Sequence, residues 1–241
     1  LIVFGGLGFL TWEDICTYRL DFHRYRMQSK VILSATALLI TIPAVLFYLT
    51  DFANLPVGER ALASLFQAVT PRTAGYNTVD LTKMSDTSQA VTILLMLTGG
   101  APGSTAGGMK VTTLAVLIAN AAAAFHRRED SRLFDRRLDY SAVRNAAAIL
   151  LLYLSLTFVG AAVISVVEGL PLGACLYETA SAAGTVGLTL GLTPQLGTLS
   201  QSILILLMFF GRVGGLTLIY AAFSGHDLTY ARYPKEMITV G

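Results

Sequence analysis

Two stretches decide the fold: Pro71-Arg72-Thr73-Ala74-Gly75-Tyr76-Asn77-Thr78-Val79-Asp80-Leu81 and Gly184-Thr185-Val186-Gly187-Leu188-Thr189-Leu190-Gly191-Leu192-Thr193-Pro194. Each carries a threonine, one intervening residue and a glycine, followed by an aromatic or aliphatic residue. Each comes after a short, half-apolar segment, Val57–Thr70 or Leu172–Ala183, and each segment is headed by a proline, Pro56 or Pro171. Proline suits a helix start, where its missing N–H has no intrahelical partner to lose. These segments are too short to cross a bilayer, which takes about 20 apolar residues.

The sequence around the two stretches repeats. Ser88-Gln89 and Ile93-Leu94-Leu95-Met96 recur as Ser200-Gln201 and Ile205-Leu206-Leu207-Met208, an offset of 112 from Ser88 to Ser200. Gly75 maps to Gly187 and Gly99 to Gly211 at the same offset, and Ala63, Leu65 and Phe66 map to Ala174, Leu176 and Tyr177 one residue earlier. A constant offset across glycines, a Ser-Gln pair and apolar positions marks an internal repeat. Leu1–Leu10 resembles the end of the same unit, with Gly5-Gly6-Leu7 echoing Gly214-Gly215-Leu216. It reads as the end of a membrane helix whose start precedes Leu1, and neither a basic n-region nor a cleavage site makes it a signal peptide.

The 241 residues are 54% hydrophobic and only 13% charged, against about 25% charged in soluble domains. Val31–Thr50 and Asn145–Val167 carry no charge, Thr198–Ser224 carries one, Arg212, and Ser88–Ala124 is interrupted by Gly99–Gly108. That is the pattern of an all-α integral membrane protein. The basic segments, Arg19–Lys30 and His126–Arg144, predict the cytoplasmic side, with the C-terminal tail on that side too. The predicted units are 1–30, the end of one repeat and a cytoplasmic linker; 31–139 and 140–226, one helix–pore loop–helix repeat each; and 227–241, a cytoplasmic tail. Cys16 and Cys175 are far apart and the three histidines stand alone, so neither a disulfide nor a resident metal or other cofactor is inferred.

A short helix that stops at membrane depth leaves unpaired backbone, tolerated only where protein shields it or it lines a watery cavity. Its negative C-terminal end faces whatever lies beyond. A Thr-x-Gly strand placed there can replace an ion's hydration shell with carbonyls, as in potassium-channel filters. Thr73, Ala74, Gly75, Tyr76 and Asn77, with Thr185, Val186, Gly187 and Leu188 (and Thr189 beyond), are the expected ion-binding residues. Gly99–Gly108 holds five glycines and a proline and cannot form a regular helix. Arg212, deep in an apolar span, costs about 2.5–3.5 kcal/mol on translocon scales; it predicts a pore-facing barrier or gate clamp, with a structural pairing to a carboxylate or to carbonyls of a neighbouring helix as the alternative. Lys110 either faces the pore or pairs with an acid. Glu178 either attracts cations or packs and hydrogen-bonds, and Arg72 anchors the first strand.

The stretches PRTAGYNTVDL (71–81), GSTAGGMKVTT (103–113), GTVGLTLGLTP (184–194) and FGRVGGLTL (210–218) resemble the Trk/Ktr/HKT superfamily of potassium transporters, and within it the bacterial Ktr-type pore subunit. The resemblance implies four helix–pore loop–helix repeats around one pore, of which this chain carries the last two. It implies potassium uptake, with sodium as an optional coupling ion, across the cell membrane by a multi-pass protein, and Gly75 and Gly187 as filter glycines. It further implies a gate made by Gly99, Gly100, Gly103, Ser104, Thr105, Gly107 and Gly108 with Lys110 and Arg212, a homodimer in lipid, and a cytosolic ring of nucleotide-binding regulatory subunits. No nucleic acid partner is expected. The alternative is a non-conducting assembly subunit or partial gene product. An enzyme is disfavoured, because the spans hold no Ser/His, paired-Asp or His-Glu constellation.

Overall fold

The computed structural model describes residues 1–19, 21–128 and 130–214. Among them the chain forms α1 (Ile2–Gly6), α2 (Phe9–Tyr18), α3 (Met27–Leu49), α4 (Val57–Val69), α5 (Asp86–Leu97), α6 (Val111–Phe125), α7 (Tyr140–Glu168), α8 (Leu172–Ala183) and α9 (Thr198–Val213). A two-stranded antiparallel ribbon, β1 (Arg132–Leu133) with β2 (Arg136–Arg137), joins α6 to α7. The described residues are thus mostly helical. α3 and α7 are each long and apolar enough to cross a membrane; α5, α6 and α9 are shorter apolar helices.

The order helix, short helix, helix occurs twice, as α3–α4–α5/α6 and α7–α8–α9, and each short helix packs on the long helix before it. The two units interlock because α5 packs on α8. The core sits at that junction: Phe47 of α3, Met96 of α5, Tyr177 and Ala180 of α8 and Leu188 form one buried cluster. Ala161 and Ile164 of α7 with Cys175 of α8 and Leu204 and Leu207 of α9 form a second. Leu1–Leu10 departs from a simple helix end. Gly8 at φ 79 separates α1 from α2, and α2 extends into the predicted linker. The tail 227–241, and everything from residue 215, lies outside the described residues, including the end of the predicted span Thr198–Ser224 and most of the Gly214-Gly215-Leu216 echo.

The repeated Ser-Gln pair has a physical role. Each Gln side chain donates back to the carbonyl five residues earlier, Gln89 to Met84 (3.1 Å) and Gln201 to Leu196 (3.1 Å). Each Ser hydroxyl donates to a carboxylate at the end of the preceding long helix: Ser88 to Asp51, and Ser200 to Glu168 at 2.5 Å. The same carboxylates accept the backbone N–H at the N-caps of α5 and α9, Ser85 to Asp51 (2.6 Å) and Gly197 to Glu168 (2.8 Å). Orphan N–H groups at a helix start are satisfied and the helix dipole favours a negative charge there, so one acid per repeat ties α3 to α5 and α7 to α9. Burial alone pushes the Asp51 carboxyl up. The Ser85 N–H and the Ser88, Thr50 and Ser85 hydroxyls outweigh it, and the net shift is downward. A folded-state value below the unfolded one means the stabilisation is present above the ordinary aspartate range of about 4 and fades as pH falls through the lowered value. Asp51→Ala is expected to cost about 0.5–2 kcal/mol, the range of a lost helix cap. In thermal melts of the detergent-solubilised protein the difference from the parent shrinks only under strongly acid conditions. A difference that stays constant through that acid range, or one already shrinking near neutral pH, rejects the assignment.

Candidate functional site: two strands over a glycine-rich loop

α4 and α8 each end at a strand whose backbone is inverted at alternate residues. Thr73 and Gly75 lie at φ 63 and 73, and Thr185 and Gly187 at φ 55 and 94, whereas Ala74 and Val186 between them do not enter this region. In an ordinary strand successive groups alternate between faces; inverting every second residue turns consecutive carbonyls toward one side. Glycine takes such angles freely, and threonine does so at a cost of order 1–3 kcal/mol, so the surroundings must hold it there.

They do so with hydrogen bonds from the short helices. Thr70 Oγ1 donates to the Tyr76 carbonyl (2.7 Å), and the Gly187 N–H donates to Ser181 Oγ (3.1 Å). Glu178, 4% exposed in α8, accepts from Thr189 Oγ1 (2.5 Å), the Leu190 N–H (3.0 Å) and Thr193 Oγ1 (2.7 Å). Of the two readings the sequence left open for Glu178, the structure carries hydrogen bonding. Gln67, its counterpart in the other repeat, is as buried but has no side-chain partner among the described residues. Arg72 is buried and reaches Thr36 Oγ1 of α3 at 3.2 Å, which anchors the start of the first strand. The two strands meet: a Cβ on Gly75 would overlap the Val186 carbonyl oxygen. The repeats are not identical here, since Tyr76 is 69% exposed and Leu188 is buried.

Gly99–Gly108 is irregular, as its composition predicts. Its neck is closed by Gly99 N–H to Met109 O (2.7 Å) and Val111 N–H to Gly100 O (3.0 Å). Ser104 Oγ donates to the Ala101 carbonyl (2.6 Å) and the Ala101 N–H to the Gly6 carbonyl of α1 (2.8 Å). The glycines are needed for close approach: a Cβ on Gly107 would overlap Thr185 Oγ1, and one on Gly99 the Gly107 carbonyl. The loop therefore lies directly against the base of the second strand, and its tip residues Thr105 and Ala106 share a cavity of about 240 Å³ with Thr73 and Ala74 of the first.

Two cations hold consecutive carbonyls of that tip. Arg212 Nη1 donates to Thr105 O (2.9 Å), and Lys110 Nζ donates to Ala106 O (2.6 Å). Among the described residues neither is paired with a carboxylate, so the carboxylate alternatives for Arg212 and Lys110 find no support there, whereas Arg212 does meet a carbonyl, here one from the loop and not from a helix. Arg212 occupies the last turn of α9, where Gly214 at φ 90 caps the described helix and the dipole favours a cation. It also lines a cavity of about 590 Å³ together with Thr185, Gly187 and Glu178. Sequence reasoning singled out the two strands, the loop and both cations. It did not find the carboxylates Asp51 and Glu168, or Thr70 and Ser181. The signal for Asp51 and Glu168 was present, an acid at the end of each long helix ahead of each Ser-Gln pair, but their differing distances from that pair hid it.

Two helix–short helix–helix units, each ending its short helix in an inverted strand, define an all-α integral membrane fold built of helix–pore loop–helix repeats. The chain belongs to the TrkH family of cation transport proteins, whose sequence profile matches residues 25–227. It is 39% identical over its whole length to the potassium/sodium uptake protein NtpJ of Enterococcus hirae and 34% identical to the Ktr system potassium uptake protein B of Bacillus subtilis. Those matches cover 56% and 55% of the two relatives, so the chain spans about half their length. The crystal structure of the potassium transporter TrkH from Vibrio parahaemolyticus superposes with a TM-score of 0.73 over 91% of this chain and 50% of the other, at 18% identity, a likeness of fold.

Proposed function

We propose that the chain supplies two of the repeats of a potassium-uptake pore in the cell membrane, with residues 31–139 and 140–226 as one repeat each. Potassium, the cargo, is selected by backbone carbonyls of Thr73, Ala74, Gly75, Tyr76 and Asn77 and of Thr185, Val186, Gly187 and Leu188. Passage is controlled by the loop from Gly99 to Gly108, with Lys110 and Arg212 gripping its tip. The observation that carries this reading is the pair of Thr-x-Gly strands, each inverted at threonine and glycine, lying side by side over the loop. The uptake named for the relatives supports potassium as cargo, with sodium as an optional coupling ion. The basic segments before α3 and after α6 lie at one end of the bundle, where Phe22 and Phe134 pack 6.2 Å apart; we assign that end, and the C-terminus, to the cytoplasm. There a homodimer would dock its nucleotide-binding regulatory ring.

The test is complementation of a bacterium lacking its own potassium uptake with the full-length protein. Growth at low potassium and rubidium uptake are expected, and Glu178→Ala is expected to lower the preference for potassium over sodium by about tenfold. That change leaves three donors beside the strand without an acceptor, each at about 1–3 kcal/mol if it stays dry. Glu178→Gln, which keeps an acceptor, recovers most of the preference. Absence of uptake in the parent sinks the transport reading, and an unchanged selectivity in Glu178→Ala sinks the bracing role.

A further inference from the structure

An apolar cleft of about 630 Å³ runs between α3 and α6 on the outside of the first unit. Leu38 and Ile42 of α3 and Ile118 of α6 line it, at 57%, 63% and 60% exposure. Its polar end is lined by His126, Arg128 and Arg132 beside Phe134. A second cavity, of about 710 Å³, begins at the same Phe134 and is lined by Arg24, Arg26, Lys30 and Arg136. An oily channel thus opens into a cluster of cations.

The junction is built structure. The segment after α6 is held against that helix by Ser131 Oγ donating to Asn120 Oδ1 (2.9 Å), and Arg137 pairs with Asp130 (2.8 Å). Phe134 packs edge-on against Phe22. The nearby cations differ in their partners. Arg24 and Arg26 pair with acids, whereas Arg128, Arg132 and Arg136 have no carboxylate partner among the described residues.

We propose that this is a binding site for an anionic phospholipid, its acyl chains lying along α3 and α6 and its phosphate on Arg128 and Arg132. Guanidinium groups bind phosphate through paired N–H donors and lose little hydration in doing so. Basic pockets between membrane helices take acidic headgroups on the cytoplasmic side. A free anion would satisfy the arginines and leave the cleft exposed, and an apolar peptide would fill the cleft and leave the arginines unpaired. A diacyl lipid with a net negative headgroup does both. A zwitterionic lipid brings the same phosphate with its own cation beside it, which competes with the arginines. The inference depends on the chain lying in a membrane and is independent of what it transports.

The test uses the full-length protein in detergent, with bound lipid read by native mass spectrometry during titration with phosphatidylglycerol or phosphatidylcholine. Phosphatidylglycerol is expected to bind at least fivefold more tightly. The double variant R128Q/R132Q loses that preference, and so does Ile118→Trp, which fills the cleft and leaves the charges in place. Arg144→Gln, an exposed arginine outside the cleft, keeps it. Glycerol phosphate, the soluble headgroup, is expected not to displace the lipid. Equal binding of the two lipids, displacement by glycerol phosphate, or full binding by either cleft variant overturns the proposal; the last outcome includes the case in which another part of the full-length protein occupies the cleft.

Discussion

Replacing Arg212 with alanine in the full-length protein is expected to raise rubidium uptake at saturating substrate by roughly tenfold or more. The reasoning starts from one hydrogen bond, Arg212 Nη1 to the Thr105 carbonyl. A bond from a charged donor contributes about 1.5–3 kcal/mol, and each 1.4 kcal/mol is a tenfold change in an equilibrium. If the loop under the strands alternates between blocking and open positions, removing this bond shifts the balance toward open by about that factor. Lys110 keeps its own grip on the adjacent Ala106 carbonyl, so the loop is loosened and not released. Deleting Gly103–Ala106 removes both carbonyls and the tip itself, and the flux should rise further. Arg212→Lys retains the charge and loses the planar fork, and falls between the parent and alanine. Uptake in Arg212→Ala and in the deletion equal to that of the parent, with similar protein in the membrane, removes the gate.

How much of this was legible in the sequence depends on the length scale of the cause. The short helices were legible because proline marks their starts and apolar length marks them as non-spanning; α8 runs from Leu172 to Ala183, the predicted bounds, and α4 from Val57 to Val69, one residue short. The irregular loop was legible because five glycines in ten residues exclude a helix. The depth of Arg212 was less so. Apolar sequence continues on both sides of it, which reads as mid-span and gives no sign that Arg212 falls in the last turn of Thr198–Val213. A carbonyl partner was one of the alternatives, but which carbonyl was out of reach, because Thr105 is distant in sequence and offers only a backbone oxygen, which leaves no trace in residue type. The same holds for Glu178. Its three donors, two hydroxyls and one N–H, come from the segment after the strand. A lone acid beside threonines does not reveal whether it faces an ion or braces a backbone. The threonines at positive φ were invisible too, since threonine ordinarily avoids that region and only the surrounding hydrogen bonds impose it.

The two strand glycines should differ in how badly they tolerate a methyl group. Both lie at positive φ, 73 for Gly75 and 94 for Gly187, so alanine at either position is strained by about 1–2 kcal/mol. Space separates them. A Cβ on Gly187 meets nothing nearer than 4.0 Å, the Gly75 Cα, whereas a Cβ on Gly75 would overlap the Val186 carbonyl oxygen. That neighbour is backbone, with no side chain to swing aside, and the second strand must move to admit it. Its movement would displace a carbonyl assigned to the ion. Gly75→Ala is therefore expected to abolish potassium-selective uptake, by at least a hundredfold in Vmax/KM. Gly187→Ala is expected to lower it by about tenfold, the equivalent of its strain alone. The measurement is rubidium uptake against competing sodium in the complemented strain, with membrane expression matched. Equal losses would mean that conformational strain and not contact between the strands sets the tolerance. A worse loss in Gly187→Ala would mean that the two strands do not meet at Gly75 in the working protein.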